Sequence, residues 1–291
     1  MTSDRNDAPK ASAHRAPATT PERRTADLFG RDRALIGMVH VGALPGTPHE
    51  REPLAALVRR AVDEAVLLHR AGVDAVMLEN MHDVPYLLRE VGPEIVASMT
   101  AIAGAVRSAI PCPLGIQILA GANRAALAVA HATGCSFIRA EGLVFASVAD
   151  EGLFAEADAG PLLRYRRAIG AESVRILTDI KKKHSSHAIT ADITIAENAS
   201  AAEFFGADGI IMTGPATGQP TPLGDIDAAR RGCTLPILVG SGATAATVGS
   251  LLGKANAVIV GSDLKVDGHW RNPLDPARVD AFVRASRATT G

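Results

Sequence analysis

From residue 34 onward, short apolar runs alternate with Ala-rich stretches of helical length. The runs fall at 34–40, 74–79, 114–118, 136–141, 174–180, 209–213, 236–240 and 257–261. Nearly all are solidly apolar instead of alternating, which is the mark of strands buried on both faces of a parallel sheet. Helical patterns lie between and after them at 52–71, 92–109, 122–133, 158–169, 192–205, 223–231, 244–252 and 275–287. Eight strand–helix units predict an α/β fold, a single (β/α)8 TIM barrel over residues 34–291, with a helix outside every strand because such crossovers are right-handed. A doubly wound open sheet is the competing arrangement, but no GxGxxG follows the first strand.

An internal repeat supports the count. Ala71 to Glu79, Thr133 to Glu141 and Phe205 to Thr213 superimpose without gaps, and Lys254 to Gly261 fits the same register. In each, a Gly or Lys ends a helix, Asp74, Ser136, Asp208 or Asn256 caps the turn, and a strand follows.

Residues 1–33 break this pattern. They are rich in Thr, Ala, Pro, Arg and Asp, with hardly an apolar residue before Leu28 and Phe29. Such a stretch cannot repay its ordering entropy, so it reads as a disordered N-terminal extension. Its mixed charge argues against a transit peptide, and no h-region or membrane-length apolar run is present. The expectation is a cytoplasmic protein with no integral membrane segment. Aromatic residues make up only 3% of the chain and the net charge is −1, which argues against a nucleic-acid surface. The first 33 residues hold seven basic and five acidic side chains, so the barrel itself carries −3. Cys112, Cys135 and Cys233 are too far apart for a metal knuckle and read as small reduced core residues.

In a barrel of this kind the active site forms at the C-terminal ends of the strands, and the polar residues collect there. They are His40 after strand one, Glu79 and Asn80 after strand two, Gln117 and Asn123 at and beyond strand three, Arg139 and Glu141 at strand four, and Asp179 and Lys181 at strand five. Strand alternation sends Asp179 and Lys181 to the same side, toward the mouth. A lysine there serves as a Schiff-base nucleophile or as a clamp for a carboxylate or phosphate, with Asp179 orienting it. Lys182 and Lys183 read as more exposed, Lys183 as a solvated loop residue. Glu79 and Glu141 make a candidate acid/base pair or a divalent-ion cage, and His184, with His187, offers further acid/base or ligand groups. No metal ligand set is assigned, although a divalent metal stays compatible with these side chains. Gly240, Ser241 and Gly242 after strand seven, and Gly261 and Ser262 after strand eight, occupy the usual phosphate position of the fold, where glycines admit an anion to backbone N–H groups. A helix opening at Ala243-Thr244 is expected to add its dipole.

The stretch from Ile36 to the last helix resembles the BtpA family, which includes the SgcQ-type proteins. The resemblance rests on Gly37-Met38-Val39-His40 with Leu44-Pro45-Gly46, Glu79-Asn80, Gly115-Ile116-Gln117 with Asn123, and Arg139-Ala140-Glu141-Gly142. It continues through the run Asp179 to His187, Gly206-Ala207-Asp208, Thr213-Gly214 and Gly240-Ser241-Gly242. It implies a phosphate-binding barrel of the ribulose-phosphate-binding kind, with Thr213 and Gly214 added to the binding set. It implies little chemistry: cyanobacterial members are linked with photosystem I biogenesis at thylakoid membranes, and enterobacterial members with sugar-related operons and a nucleoside-triphosphatase label. No Walker A loop occurs here to support that label. The residues and the resemblance together point to an enzyme of carbohydrate-type metabolism acting on a phosphorylated sugar or nucleoside-like molecule by aldol, isomerase or decarboxylase chemistry. A non-catalytic assembly factor is the alternative, and a homo-oligomer is compatible with both.

Overall fold

The computed structural model describes residues 20–214 and 220–288. In chain order the strands are β1 (Ala34–His40), β2 (Ala75–Glu79), β3 (Leu114–Gln117), β4 (Phe137–Ala140), β5 (Ser147–Ala149), β6 (Gly152–Phe154), β7 (Arg175–Ile180), β8 (Ser185–Ser186), β9 (Gly209–Met212), β10 (Ile237–Val239) and β11 (Ala257–Val260). Eight of them close a parallel barrel in the order β1-β11-β10-β9-β7-β4-β3-β2. The helices around it are α1 (Pro21–Phe29), α2 (Leu54–Ala71), α3 (Pro93–Ala109), α4 (Asn123–Thr133), α5 (Ala159–Ala168), α6 (Ile195–Phe204), α7 (Leu223–Gly232), α8 (Val248–Leu252) and α9 (Pro276–Arg287). All eight expected strands and their eight following helices are present, so the solid apolar runs were read correctly as buried parallel strands.

Each strand is buried on both faces because it serves two cores. Ile36, Met38, Met77, Phe137, Leu177, Ile211, Leu238 and Ile259 fill the barrel interior. Leu35, Val39, Val76, Leu78, Ile116, Ile138, Ile176 and Ile210 face outward into the helical sheath. Gly115 makes the interior possible, since a Cβ there would lie 2.2 Å from the Phe137 ring. The repeat acquires a physical role as well. Asp74 accepts the N–H of Leu35 at 2.7 Å, Asp208 that of Ile176 at 2.9 Å, and Asn256 that of Ile237 at 3.0 Å. Each side chain thus takes a backbone N–H at the first or second residue of the neighbouring strand, where the ladder would otherwise leave a buried donor open.

The N-terminal expectation needs correction. Residues 1–19 lie outside the described residues, but residues 21–29 form helix α1 under the barrel floor. Thr20 caps it by accepting the N–H of Arg23, Pro21 occupies the first turn, and Gly30 ends it at φ 76°. Phe29 is 4% exposed and sets its ring edge-on to Phe137 with centroids 5.5 Å apart. One aromatic contact with the barrel floor, plus good caps, orders a segment whose composition alone reads as disordered.

A second addition is a small antiparallel sheet in the order β6-β5-β8 over the mouth. It pairs the loop after β4 with the loop after β7 through Val148↔Ser186 and Ala149↔Ser185. Among the described residues no helix is long and apolar enough to cross a membrane.

Candidate functional site

The C-terminal strand ends enclose a cavity of about 300 Å³, lined from the expected set by His40, Glu79, Gln117, Arg139, Glu141, His184, Gly240, Ser241, Gly242, Gly261 and Ser262. The barrel register explains the grouping: His40 pairs laterally with Glu79, and Glu79 with Gln117. These three side chains therefore stand in one layer of the mouth.

His40 Nδ1 lies 3.2 Å from the Trp270 carbonyl oxygen, which only accepts, so Nδ1 carries the proton. Nε2 is then a bare acceptor, 3.6 Å from Glu79 Oε2. Gly261 permits this packing, because a Cβ there would fall 2.9 Å from Nε2. Burial, aided by the Lys265 ammonium, pushes the imidazole down to about 3 and keeps it neutral. Burial also raises the Glu79 carboxyl above its ordinary range; Arg139 and Lys183 oppose the rise and Glu141 adds to it. Trp270 is itself held by the His82 ring, 5.0 Å between centroids, and by the Arg271 guanidinium at 4.8 Å.

Glu141 has a different environment. Its Oε1 accepts from Gln117 Nε2 at 2.9 Å and lies 3.0 Å from Lys182 Nζ, while its Oε2 is buried without a partner among the described residues. Gln117 Oε1 is likewise buried without a hydrogen bond. Asn123, the first residue of α4, braces this carboxylate from behind: its Nδ2 donates to the Glu141 carbonyl at 2.8 Å and to Asp158 at 2.7 Å, and its Oδ1 accepts the Glu141 N–H at 3.0 Å. Asn123 is thus a scaffold group outside the cavity lining. The same holds for Asn80, which donates to Asp83 at 2.8 Å and accepts the Leu119 N–H at 2.7 Å, tying the loops after β2 and β3 together.

The Lys181 expectation is overturned in geometry. β7 ends at Ile180, and Lys181 turns into the left-handed region at φ 47°, so strand alternation no longer governs it. Its Nζ donates to the Thr190 carbonyl at 2.9 Å, outside the main cavity. Asp179 orients Arg139 instead, accepting from Nε at 2.7 Å and from the second guanidinium nitrogen at 2.8 Å. Burial opposes the Arg139 charge, but the Asp179 carboxylate outweighs it and the guanidinium titrates above its ordinary value. Lys182 and Lys183 line the cavity in place of Lys181. Burial works against the Lys182 ammonium, but Glu141 outweighs it and raises its titration. Lys183 is moved the other way, downward, by burial and by the neighbouring Arg139 charge, with Glu79 and Asp179 opposing. His184 lines the rim and is exposed; burial and the Lys183 ammonium lower it. His187 Nε2 donates to the Lys182 carbonyl at 2.9 Å, so the two histidines do not converge.

The glycine loops reach the cavity with less helix behind them than expected. Helix α8 starts at Val248, because Thr247 Oγ1 accepts the Thr244 N–H at 3.0 Å and Thr247 N donates to the Thr244 carbonyl at 3.0 Å, closing a local turn. The Asp263 carboxylate already takes the Ala245 N–H at 3.2 Å. Ser241 Oγ accepts the Gly214 N–H at 3.1 Å, and Thr213 Oγ1 accepts the Lys183 N–H at 3.0 Å. Thr213 and Gly214 therefore position neighbouring loops and are not part of the cavity lining. Among the described residues no group of three His, Cys, Asp or Glu converges as a metal-binding set. Cys135 and Cys233 are buried and Cys112 half-buried, all unpaired with one another, and burial raises their thiols, Cys135 to about 11.

Sequence reasoning did not assign Tyr86, Asp150, Glu151 and Asp263, which also line the cavity. Asp150 and Glu151 come from the β5–β6 hairpin, whose short strands gave no apolar signal. Asp263 follows Ser262 directly and was reachable from the loop position alone.

These features define a (β/α)8 barrel with a polar, strand-end cavity holding two differently paired carboxylates. The BtpA family model matches residues 31–288, and the chain belongs to the BtpA family. A Caenorhabditis elegans relative, named an uncharacterized mitochondrial protein, is 47% identical over 263 residues, covering 88% of this chain and 94% of its own. The Synechocystis photosystem I biogenesis protein BtpA is 37% identical over 258 residues, covering 88% of this chain and 89% of its own. Among solved structures, a tryptophan synthase from Mycobacterium tuberculosis aligns with a TM-score of 0.58 at 15% identity, over 91% of this chain and 96% of that one. At that identity the likeness concerns the fold.

Proposed function

We propose that this chain is an enzyme performing acid–base chemistry on a phosphorylated sugar or nucleoside-like metabolite at the barrel mouth. The observation that carries the reading is the pair of carboxylates in one cavity: Glu79 beside a neutral imidazole and raised by burial, Glu141 ion-paired to Lys182 at 3.0 Å. Environments that push two titratable groups apart separate an acid from a base. Glu79 holds the proton to be donated, with His40 Nε2 beside it as acceptor; Glu141, ion-paired to Lys182, accepts. Arg139, Lys183 and the loops at Gly240–Gly242 and Gly261-Ser262 supply the positive field and N–H groups for a phosphate or carboxylate. Structural likeness to N-(5'-phosphoribosyl)anthranilate isomerase from Pyrococcus furiosus (TM-score 0.53, 14% identity, 88% of this chain and 99% of that one) is consistent with this reading. Isomerisation, aldol cleavage and decarboxylation all fit the groups present.

The test is turnover of a panel of phosphorylated aldoses, ketoses and nucleoside monophosphates by the full chain. Glu79→Gln is expected to lower kcat by about 10²–10⁴-fold on any substrate found. Equal activity of Glu79→Gln and the parent protein rejects the assignment. The second reading, an assembly factor, rests on the name of the Synechocystis relative. It requires full complementation of a strain lacking that relative by a Glu79→Gln/Lys183→Ala double variant. A cytoplasmic location and a homo-oligomeric state belong to the enzyme reading; fractionation and light scattering check them.

A further inference from the structure

Three consecutive lysines follow β7, and the backbone sends them to three places. Left-handed φ values of 47° at Lys181 and 56° at His184 bracket the run. For residues with a Cβ such values are strained and persist where the surroundings impose them, commonly at functional sites. Lys181 is spent on the Thr190 carbonyl and Lys182 on Glu141. Lys183 has its backbone N–H fixed at 3.0 Å from Thr213 Oγ1, lines the 300 Å³ cavity, and shares it with Glu79, His40 and Arg139.

We infer that Lys183 is the covalent nucleophile of this site, forming a Schiff base with an aldehyde or ketone whose phosphate or carboxylate sits against Arg139 and the strand-seven and strand-eight loops. The inference rests on the acid–base reading above and narrows its substrate class to anionic carbonyl compounds. The neutral amine attacks the carbonyl carbon, and the carbonyl electron pair moves to oxygen. The attacking nitrogen passes one proton to that oxygen, giving the neutral carbinolamine, whose hydroxyl takes a second proton from the Glu79 carboxylic acid and leaves as water. The nitrogen lone pair then forms the C=N bond, leaving a protonated imine and the Glu79 carboxylate. Two features favour this lysine over its neighbours. It is half-buried and lines the cavity with Arg139, which disfavours the ammonium and lowers its titration, so more neutral amine is present near pH 7. Lys182 is held charged by Glu141, and Lys181 points elsewhere.

The test uses pyridoxal 5'-phosphate, a phosphorylated aldehyde, with borohydride reduction of the full chain and peptide mass mapping. For every pH unit by which the titration of Lys183 is lowered, its neutral amine rises about tenfold near pH 7, and labelling speeds up accordingly. The expected result is a label on Lys183 appearing at least about tenfold faster than on Lys181, Lys182, Lys254 or Lys265. Lys183→Arg, which keeps the charge, should abolish the fast label, and Lys181→Arg should keep it. Glu79→Gln should slow it. Fast labelling at Lys182 or Lys181, or uniform slow labelling, overturns the inference. Inorganic phosphate should protect Lys183 when pyridoxal 5'-phosphate is the probe and not when pyridoxal is. Fast labelling of Lys183 with no phosphate protection upholds the nucleophile and rejects the phosphate component of the functional reading, so the two failures are separable.

Discussion

Burying a carboxyl beside a neutral imidazole builds two opposite pH slopes into one corner of the mouth. Glu79 titrates higher in the folded state than in the unfolded chain, so folding binds its proton more tightly and stability falls as pH rises through the carboxylate range. The isosteric Glu79→Gln cannot ionise. Its Tm is expected to exceed that of the parent protein at pH 8 and to match it at pH 4, by about 1.4 kcal/mol for each unit of displacement. A variant less stable at pH 8 would show that the charge, not its burial, dominates. His40 has the reverse sign: held at about 3, it loses stability as pH falls below the ordinary histidine value of about 6.5. The loss amounts to about 2 kcal/mol by pH 5, and His40→Gln should flatten that acid limb in urea titrations run between pH 7 and 5. His40, Glu79, Gln117, Arg139 and Glu141 were legible in sequence because they end strands, and strand ends have fixed places in a barrel. Lys183 was not. Alternation was extended one residue past Ile180, and a left-handed turn at Lys181 has no signature in a run of identical lysines.

At the scale of elements, legibility followed the length of the apolar signal. The eight buried strands each carry a solid run, and the repeat residues Asp74, Asp208 and Asn256 mark strand starts because each satisfies an N–H at the beginning of a neighbouring strand. β5, β6 and β8 are two or three residues long and partly exposed, so no pattern announced them. Helix α1 is the instructive miss. Its Thr20 cap, Pro21 and Gly30 were readable signals, but composition outweighed them, and the contact that orders it is between residues 108 apart, Phe29 and Phe137. Phe29→Ala should therefore destabilise the barrel by about 3–5 kcal/mol in urea unfolding, as removal of a buried aromatic ring does. A loss below about 1 kcal/mol would mean that α1 rests on the floor without supporting it.

For the molecule as a whole, charges of both signs are concentrated at one cavity. The barrel beyond residue 33 carries −3, and Arg139, Lys182 and Lys183 share one cavity with Glu79, Glu141, Asp150, Glu151 and Asp263. Lys182 is matched to Glu141 and Arg139 to Asp179, and Asp150, Glu151 and Asp263 line the same cavity, so reception of an anion there depends on Glu79 staying protonated. A dianion entering the mouth would favour the protonated form of Glu79, so anion binding and proton uptake are linked. Inorganic phosphate should accordingly raise Tm, by about 5–10 °C at a hundredfold excess over its Kd. Chloride at matched ionic strength should not, because screening acts on exposed charges and these groups are enclosed. The phosphate effect should weaken as pH rises above the Glu79 titration, where the unprotonated carboxylate repels the dianion. Phosphate and chloride giving the same shift at every pH would place the stabilisation on the surface and remove the mouth as an anion site.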